Sequence, residues 1–130
     1  MAALGLNHYN LRSSREMMQV LCNFYCDYLG LAIGPRPSLG SFGYWLYARD
    51  QAVLHLSETR TGEVRQSALQ TSFDHVAFTC TDIPAMLTRL KQDGIPYRQA
   101  EVPAGQGFSR QYQVFFRDPA GNGIELNFSE

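Results

Sequence analysis

The residues best able to do chemistry in this chain are its three histidines, His8, His55 and His75, together with one glutamate, Glu125. Each lies in a short segment where apolar and polar residues alternate, the two-residue period of a strand with one buried face. His75 follows His8 by 67 residues, and Glu125 follows His55 by 70. Three imidazoles and a carboxylate form a donor set suited to a divalent transition metal. Buried without an ion or partners, each such polar group would cost about 1–3 kcal/mol. A single strand histidine is ordinarily a surface or hydrogen-bonded residue, so it is the repetition that points to a metal.

The alternation also gives the faces. Around His55 the sets are Val53, His55 and Ser57 against Ala52, Leu54 and Leu56. Around Glu125 they are Gly123, Glu125 and Asn127 against Ile124, Leu126 and Phe128. Leu6, His8, Asn10 and Arg12 share a face within residues 4–12, opposite Asn7, Tyr9 and Leu11. In each strand the more apolar set should meet a helix, which puts the imidazoles and the carboxylate on the other side of the sheet. If two half-sheets make one curved surface, the four groups converge on it.

Two copies of one element order must position these strands. Ser13 with Glu16 is a capping-box pattern that opens a helix. Met17, Met18, Leu21, Phe24, Tyr25, Tyr28 and Leu29 give that helix an apolar stripe, and Gly30 stops it. Leu31 to Pro37 reads as a short strand interrupted by prolines. Tyr44 to Arg49 and Ala52 to Ser57 read as two strands hinged at Asp50-Gln51, and the polar stretch from Glu58 to Ser72 as a linker. The order then restarts with the strand Phe73-Asp74-His75-Val76-Ala77-Phe78. Asp82 and Pro84 open a second helix, with Met86, Leu87 and Leu90 inward and Gly94 at its end. Tyr97 to Val102, Tyr112 to Arg117 and Ile124 to Phe128 are the remaining strands. A Gly-rich loop (Pro103 to Ser109) and the turn Asp118-Pro119-Ala120-Gly121-Asn122-Gly123 separate them. Letters repeat too: Leu56-Ser57-Glu58 matches Phe128-Ser129-Glu130, and Arg49-Asp50 matches Arg117-Asp118. The chain is therefore expected to be α+β, with modules at 1–58 and 73–130 joined by a linker at 59–72.

Composition narrows the function classes. At 130 residues with 45% hydrophobic content the chain can bury a real core. A net charge of −1, with charges scattered, argues against a nucleic-acid partner. No apolar run approaches the roughly 18 residues of a membrane span, and the first residues lack the features of a secretory leader. Three cysteines cannot make a full disulfide framework, which fits a reducing cytoplasm. Cys22 and Cys26, four apart on the first helix, are read as buried thiols rather than metal ligands.

The segments His8-Tyr9-Asn10-Leu11-Arg12, Phe24-Tyr25 with Leu29-Gly30-Leu31, and Val53-Leu54-His55-Leu56 belong to a recognisable set. So do Asp74-His75-Val76-Ala77 and Phe116-Arg117-Asp118-Pro119-Ala120-Gly121 through Ile124-Glu125-Leu126. Together, over essentially the whole chain, they resemble the vicinal oxygen chelate superfamily. That group includes glyoxalase I, extradiol dioxygenases, methylmalonyl-CoA epimerase, fosfomycin-resistance transferases and bleomycin-binding proteins. The resemblance implies paired βαβββ modules forming an open, curved mixed sheet around a metal cleft. It also implies ligands from the first and last strand of each module, and a homodimer.

Within the glyoxalase-like branch the ligands would be His8, His55, His75 and Glu125. Bacterial glyoxalase I generally carries Glu where His55 stands. With one carboxylate instead of two, the ion keeps about one positive charge and is a stronger Lewis acid. Zn, Ni, Co, Fe or Mn suits such a set. A closed tetrahedral zinc would be structural, whereas six-coordination leaves two adjacent positions for a substrate's vicinal oxygens.

The resemblance implies a lyase or isomerase acting on a small molecule, with Glu125 moving the proton and a thiol cosubstrate such as glutathione compatible with it. Arg12 is a candidate for binding an anionic substrate or thiol, or else a solvent-exposed strand end; Arg110 is a second candidate. Trp45, Tyr47, Gln113 and Phe115 are expected on the cleft face. An extradiol-type dioxygenase is the alternative, but Phe115 stands where such enzymes usually carry Tyr, and no histidine remains for acid–base work. A fosfomycin transferase fits less well, the chain having only Lys91 to contribute. A metal-free antibiotic-binding protein would characteristically lack the ligand set.

Overall fold

A computed structural model describes residues 1–129. Glu130, the last letter of the Phe128-Ser129-Glu130 match, lies outside the described residues. The chain divides into two compact units, Met1–Gln66 and Ser67–Glu130, with the division inside the polar stretch.

Unit 1 runs β1 (Tyr9–Ser13), α1 (Arg15–Leu29), β2 (Ala32–Gly34), β3 (Gly43–Ala48) and β4 (Gln51–Glu58). Its four-stranded sheet has the order β1-β4-β3-β2, with β1 parallel to β4 and the other pairs antiparallel. Helix α1 sits on the apolar face: Met18, Leu21, Cys22 and Tyr25 are buried with Leu46, Leu54 and Leu56. Cys22 is a free thiol pushed up to about 11, first by burial and then by Cys26, so it packs as a small apolar group.

Three local expectations need correcting. The first strand begins at Tyr9 rather than residue 4, because β1 first pairs with β4 at Tyr9 opposite Leu54. Upstream of it, the Gln51 side chain donates to the Asn7 carbonyl in place of a backbone ladder. Ser14 rather than Ser13 caps α1, its hydroxyl accepting from the Met17 amide, since Ser13 is taken up by pairing with Glu58. The strand after Gly30 is only three residues long and ends before Pro35, which has no amide hydrogen to offer a ladder.

Unit 2 repeats the order: β5 (His75–Thr79), α2 (Ile83–Gln92), β6 (Arg98–Val102), β7 (Gln111–Arg117) and β8 (Gly123–Ser129). Its sheet order is β5-β8-β7-β6, again with one parallel and two antiparallel pairings. Asp82 caps α2 through the Ala85 amide and Gly94 follows the helix at φ 66°, as the sequence predicts. Leu90, Val114, Phe116, Ile124, Leu126 and Phe128 form the core. Each unit is thus a βαβββ module of α+β type, and neither sheet closes on itself. Among the described residues no helix is long and apolar enough to cross a membrane.

Candidate functional site

The register of each sheet sets the functional side chains out in rows. In unit 1, Gly34, Trp45, His55 and Asn10 are cross-strand partners. In unit 2 the corresponding row is Arg98, Phe115, Glu125 and Ala77. His55 and Glu125 therefore occupy equivalent places opposite the helix-facing leucines, and both are buried, at 8% and 6% exposure.

Flat rings build the unit 1 group. Trp45 stacks on one face of His55 at 3.9 Å between centroids, and His8 stacks on the other at 3.6 Å. His8 Nδ1 donates to Asn7 Oδ1 at 2.6 Å. Burial holds His55 below the ordinary histidine pKa, helped by the nearby His8 and Arg36 charges, so its ring is kept neutral. Neutral imidazole is the form that binds metal.

Hydrogen bonds build the unit 2 group. Asp74 Oδ2 lies 2.7 Å from His75 Nδ1, and His75 Nε2 lies 2.9 Å from Glu125 Oε2. The other carboxylate oxygen, Oε1, accepts from Gln113 Nε2 at 2.9 Å and Asn127 Nδ2 at 3.2 Å. Asn127 in turn donates to Gln111 Oε1. His75 is raised above its ordinary pKa, chiefly by the Asp74 hydrogen bond and then by Glu125; Asp74 is lowered, chiefly by His75. Phe115 meets His75 edge-on at 5.5 Å. Gly123 makes this approach of β5 to β8 possible: a Cβ there would stand 2.2 Å from the Asp74 carbonyl oxygen and 3.2 Å from the His75 Cβ.

The donor chemistry suits a metal, and the unit 2 pair suits it in spacing. Two donors each about 2.1 Å from one ion and at right angles stand about 3.0 Å apart, close to the His75–Glu125 separation of 2.9 Å. An oxygen acceptor on Nδ1, as Asp74 and Asn7 supply, leaves Nε2 as the metal-facing nitrogen. In unit 1, His8 and His55 lie with their planes only 15° apart, so their in-plane lone pairs run side by side rather than converging. The exposed His8 ring would have to turn for both to reach one ion. Among the described residues no group of three or more His, Cys, Asp or Glu side chains is placed to hold a metal ion; the candidates stand as two pairs, one per unit.

The remaining candidates divide. Trp45, Gln113 and Phe115 stand beside His55 or Glu125. Tyr47 shares the face of Trp45 but lies further along it, over Gly34, its hydroxyl donating to the Pro35 carbonyl at 2.6 Å. Arg12 donates to the Glu58 carbonyl at 2.6 Å, and Arg110 pairs with Glu101 at 3.0 Å. Sequence reasoning missed the partners Asn7, Asp74 and Asn127. A signal for the first two was available, since an amide or carboxylate residue directly precedes both His8 and His75.

Comparison with known proteins bears on this arrangement. The model of the Glyoxalase/Bleomycin resistance protein/Dioxygenase superfamily matches residues 5–126. A protein named Glyoxylase I 4 from Arabidopsis thaliana is 31% identical over 126 residues, which cover 94% of this chain and 69% of that protein. Among solved structures, a lactoylglutathione lyase from Agrobacterium tumefaciens is 22% identical, with a TM-score of 0.64 over 98% of this chain and 95% of its own. The fosfomycin resistance protein FosX from Listeria monocytogenes is 18% identical, with a TM-score of 0.65 over 100% and 96%. At these identities the two structures share the fold with this chain.

Proposed function

This chain belongs to the glyoxalase/bleomycin resistance protein/dioxygenase superfamily, and from that premise we propose that it is a metal-dependent enzyme of glyoxalase type, a lyase or isomerase acting on a small substrate with vicinal oxygens. The observation that carries the reading is the setting of Glu125. Its carboxylate is sunk to 6% exposure, with Oε1 engaged by two neutral amides and Oε2 turned to His75.

His8, His55, His75 and Glu125 would hold the ion, one of Zn, Ni, Co, Fe or Mn. When bound it supplies a Lewis acid for the substrate's oxygens. The rest falls to the chain's own side chains. Gln113 and Asn127 hold the Glu125 carboxylate through Oε1, and Glu125, loosened from the ion, would take a proton from carbon and return it to the adjacent carbon. Asp74 fixes the orientation of His75. Trp45 beside His55, and Phe115 beside His75, offer flat apolar surfaces that would shed water in each unit.

The test is turnover of a glutathione hemithioacetal by protein loaded in turn with each of these metals. The reading expects consumption of the hemithioacetal, reduced about 10²–10⁴-fold by Glu125→Gln, the usual worth of a positioned acid–base group. No consumption with any metal, accompanied by oxygen uptake on catechols, would replace it with a dioxygenase.

A further inference from the structure

Beside His75, at the end of the unit 2 sheet, lies an open cavity of about 520 Å³, within the size range of small-molecule sites. Its rim carries Arg98 and Arg117, and its wall is made by Asp74, His75, Ile95 and Pro96. Arg98 lies over the Phe115 ring at 4.3 Å, which holds it in place without consuming its hydrogen bonds. Arg117 donates one Nη1 bond to the Gly121 carbonyl and keeps its other donors. The Asp74 carboxylate, on the wall, is bonded to His75 Nδ1 through Oδ2 and its charge also acts on Arg117 and Arg98, offsetting part of their positive field.

The duplicated unit supplies the control. By register, Gly34 opposite Trp45 is the counterpart of Arg98 opposite Phe115. Tyr47 and Arg117 are likewise counterparts, each one residue beyond the equivalent core positions Leu46 and Phe116. In unit 1 the Tyr47 ring lies over Gly34, so close that a Cβ there would be 2.6 Å from it, and its hydroxyl is tied to Pro35. The same corner is thus filled by a tyrosine in one unit and open between two guanidinium groups in the other.

We infer that this corner of unit 2 binds an oxyanion, a carboxylate or a phosphate, carried on a small apolar body. The guanidinium groups match such an anion in charge and in fork geometry, and Ile95 and Pro96 meet the apolar part. The assignment of this ligand as the substrate rests on the reading above; the binding itself does not.

The experiment is titration of chelator-treated full-length protein with phenylacetate, phenylphosphonate and the neutral benzyl alcohol, followed by calorimetry and backbone amide shifts. At least one anion should bind, with shifts centred on residues 95–98 and 115–117, and the alcohol should not; the stronger of the two identifies the oxyanion. Arg98→Gln and Arg117→Gln should each weaken binding about tenfold, the worth of one charged hydrogen bond. The double variant Arg98→Gly with Arg117→Tyr, which copies the filled corner of unit 1, should abolish it. Melting curves establish that each variant is folded, and Arg98→Lys, which keeps the charge but loses the fork, should fall between Gln and the parent. Equal binding of the alcohol, or anion binding untouched by these changes, overturns the inference. Because no metal or turnover is involved, failure here leaves the lyase reading standing, and failure of that reading leaves anion binding intact.

Discussion

The two units share an element order and a sheet order, yet they hold their equivalent functional positions by different forces. In unit 1, His55 is clamped between the Trp45 and His8 rings. In unit 2, Glu125 is held by His75, Gln113 and Asn127. One substitution accounts for much of this. The position across from Ser57 on β3 is Gly43, whereas the position across from Asn127 on β7 is Gln113, which reaches Glu125. An imidazole can be held by stacking because it is neutral and flat; a buried carboxylate needs donors. The duplicated frame thus tolerates either solution as long as the neighbours change with it.

The largest expected difference lies where the first strand of each unit begins. Gly123 faces His75 across a ladder that starts one residue earlier than its unit 1 counterpart, where Val53 carries a side chain. Gly123→Val should therefore destabilise the protein by about 1–3 kcal/mol through overpacking, read by urea denaturation, while Val53→Ile stays well below that. Equal losses would mean that the two strand entries are not packed differently.

A smaller effect separates the histidines by pH. In chelator-treated protein, His55 should titrate below the ordinary value of 6.5 and His75 above it. The signs of the linked stability are opposite. The contribution of a depressed histidine is complete above its unfolded pKa and is lost as pH falls from there toward its folded value. That of a raised one is complete below its unfolded pKa and is lost as pH rises through its folded value. Histidine ring proton shifts against pH, assigned with His55→Gln and His75→Gln, check both directions; a common midpoint would erase the contrast.

Much of this was legible in the sequence. The repeat, the helices and the facing of His55 and Glu125 followed from alternation and from caps such as Asp82 and Gly30. What alternation could not supply was register. Period two placed Tyr47 on the face of Trp45, and its ring lies there, over Gly34; what alternation could not show is that cross-strand neighbour or the bond that ties its hydroxyl to the Pro35 carbonyl. Nor could it show that Arg98 would stand over Phe115, since that depends on how the β6–β7 loop aligns the two strands. The choice of Ser13 over Ser14 as the cap failed for a related reason: the strand pairing extended one residue further than the local pattern suggested.

The central proposal is that His8, His55, His75 and Glu125 are metal ligands. Transition-metal content of protein purified without chelator tests it most directly, comparing the parent with His8→Ala, His55→Ala, His75→Ala and Glu125→Ala. One ion per chain in the parent, and loss of most of it in every variant, is the predicted result. Full occupancy in the His8 and His55 variants, or no ion in the parent, would contradict it.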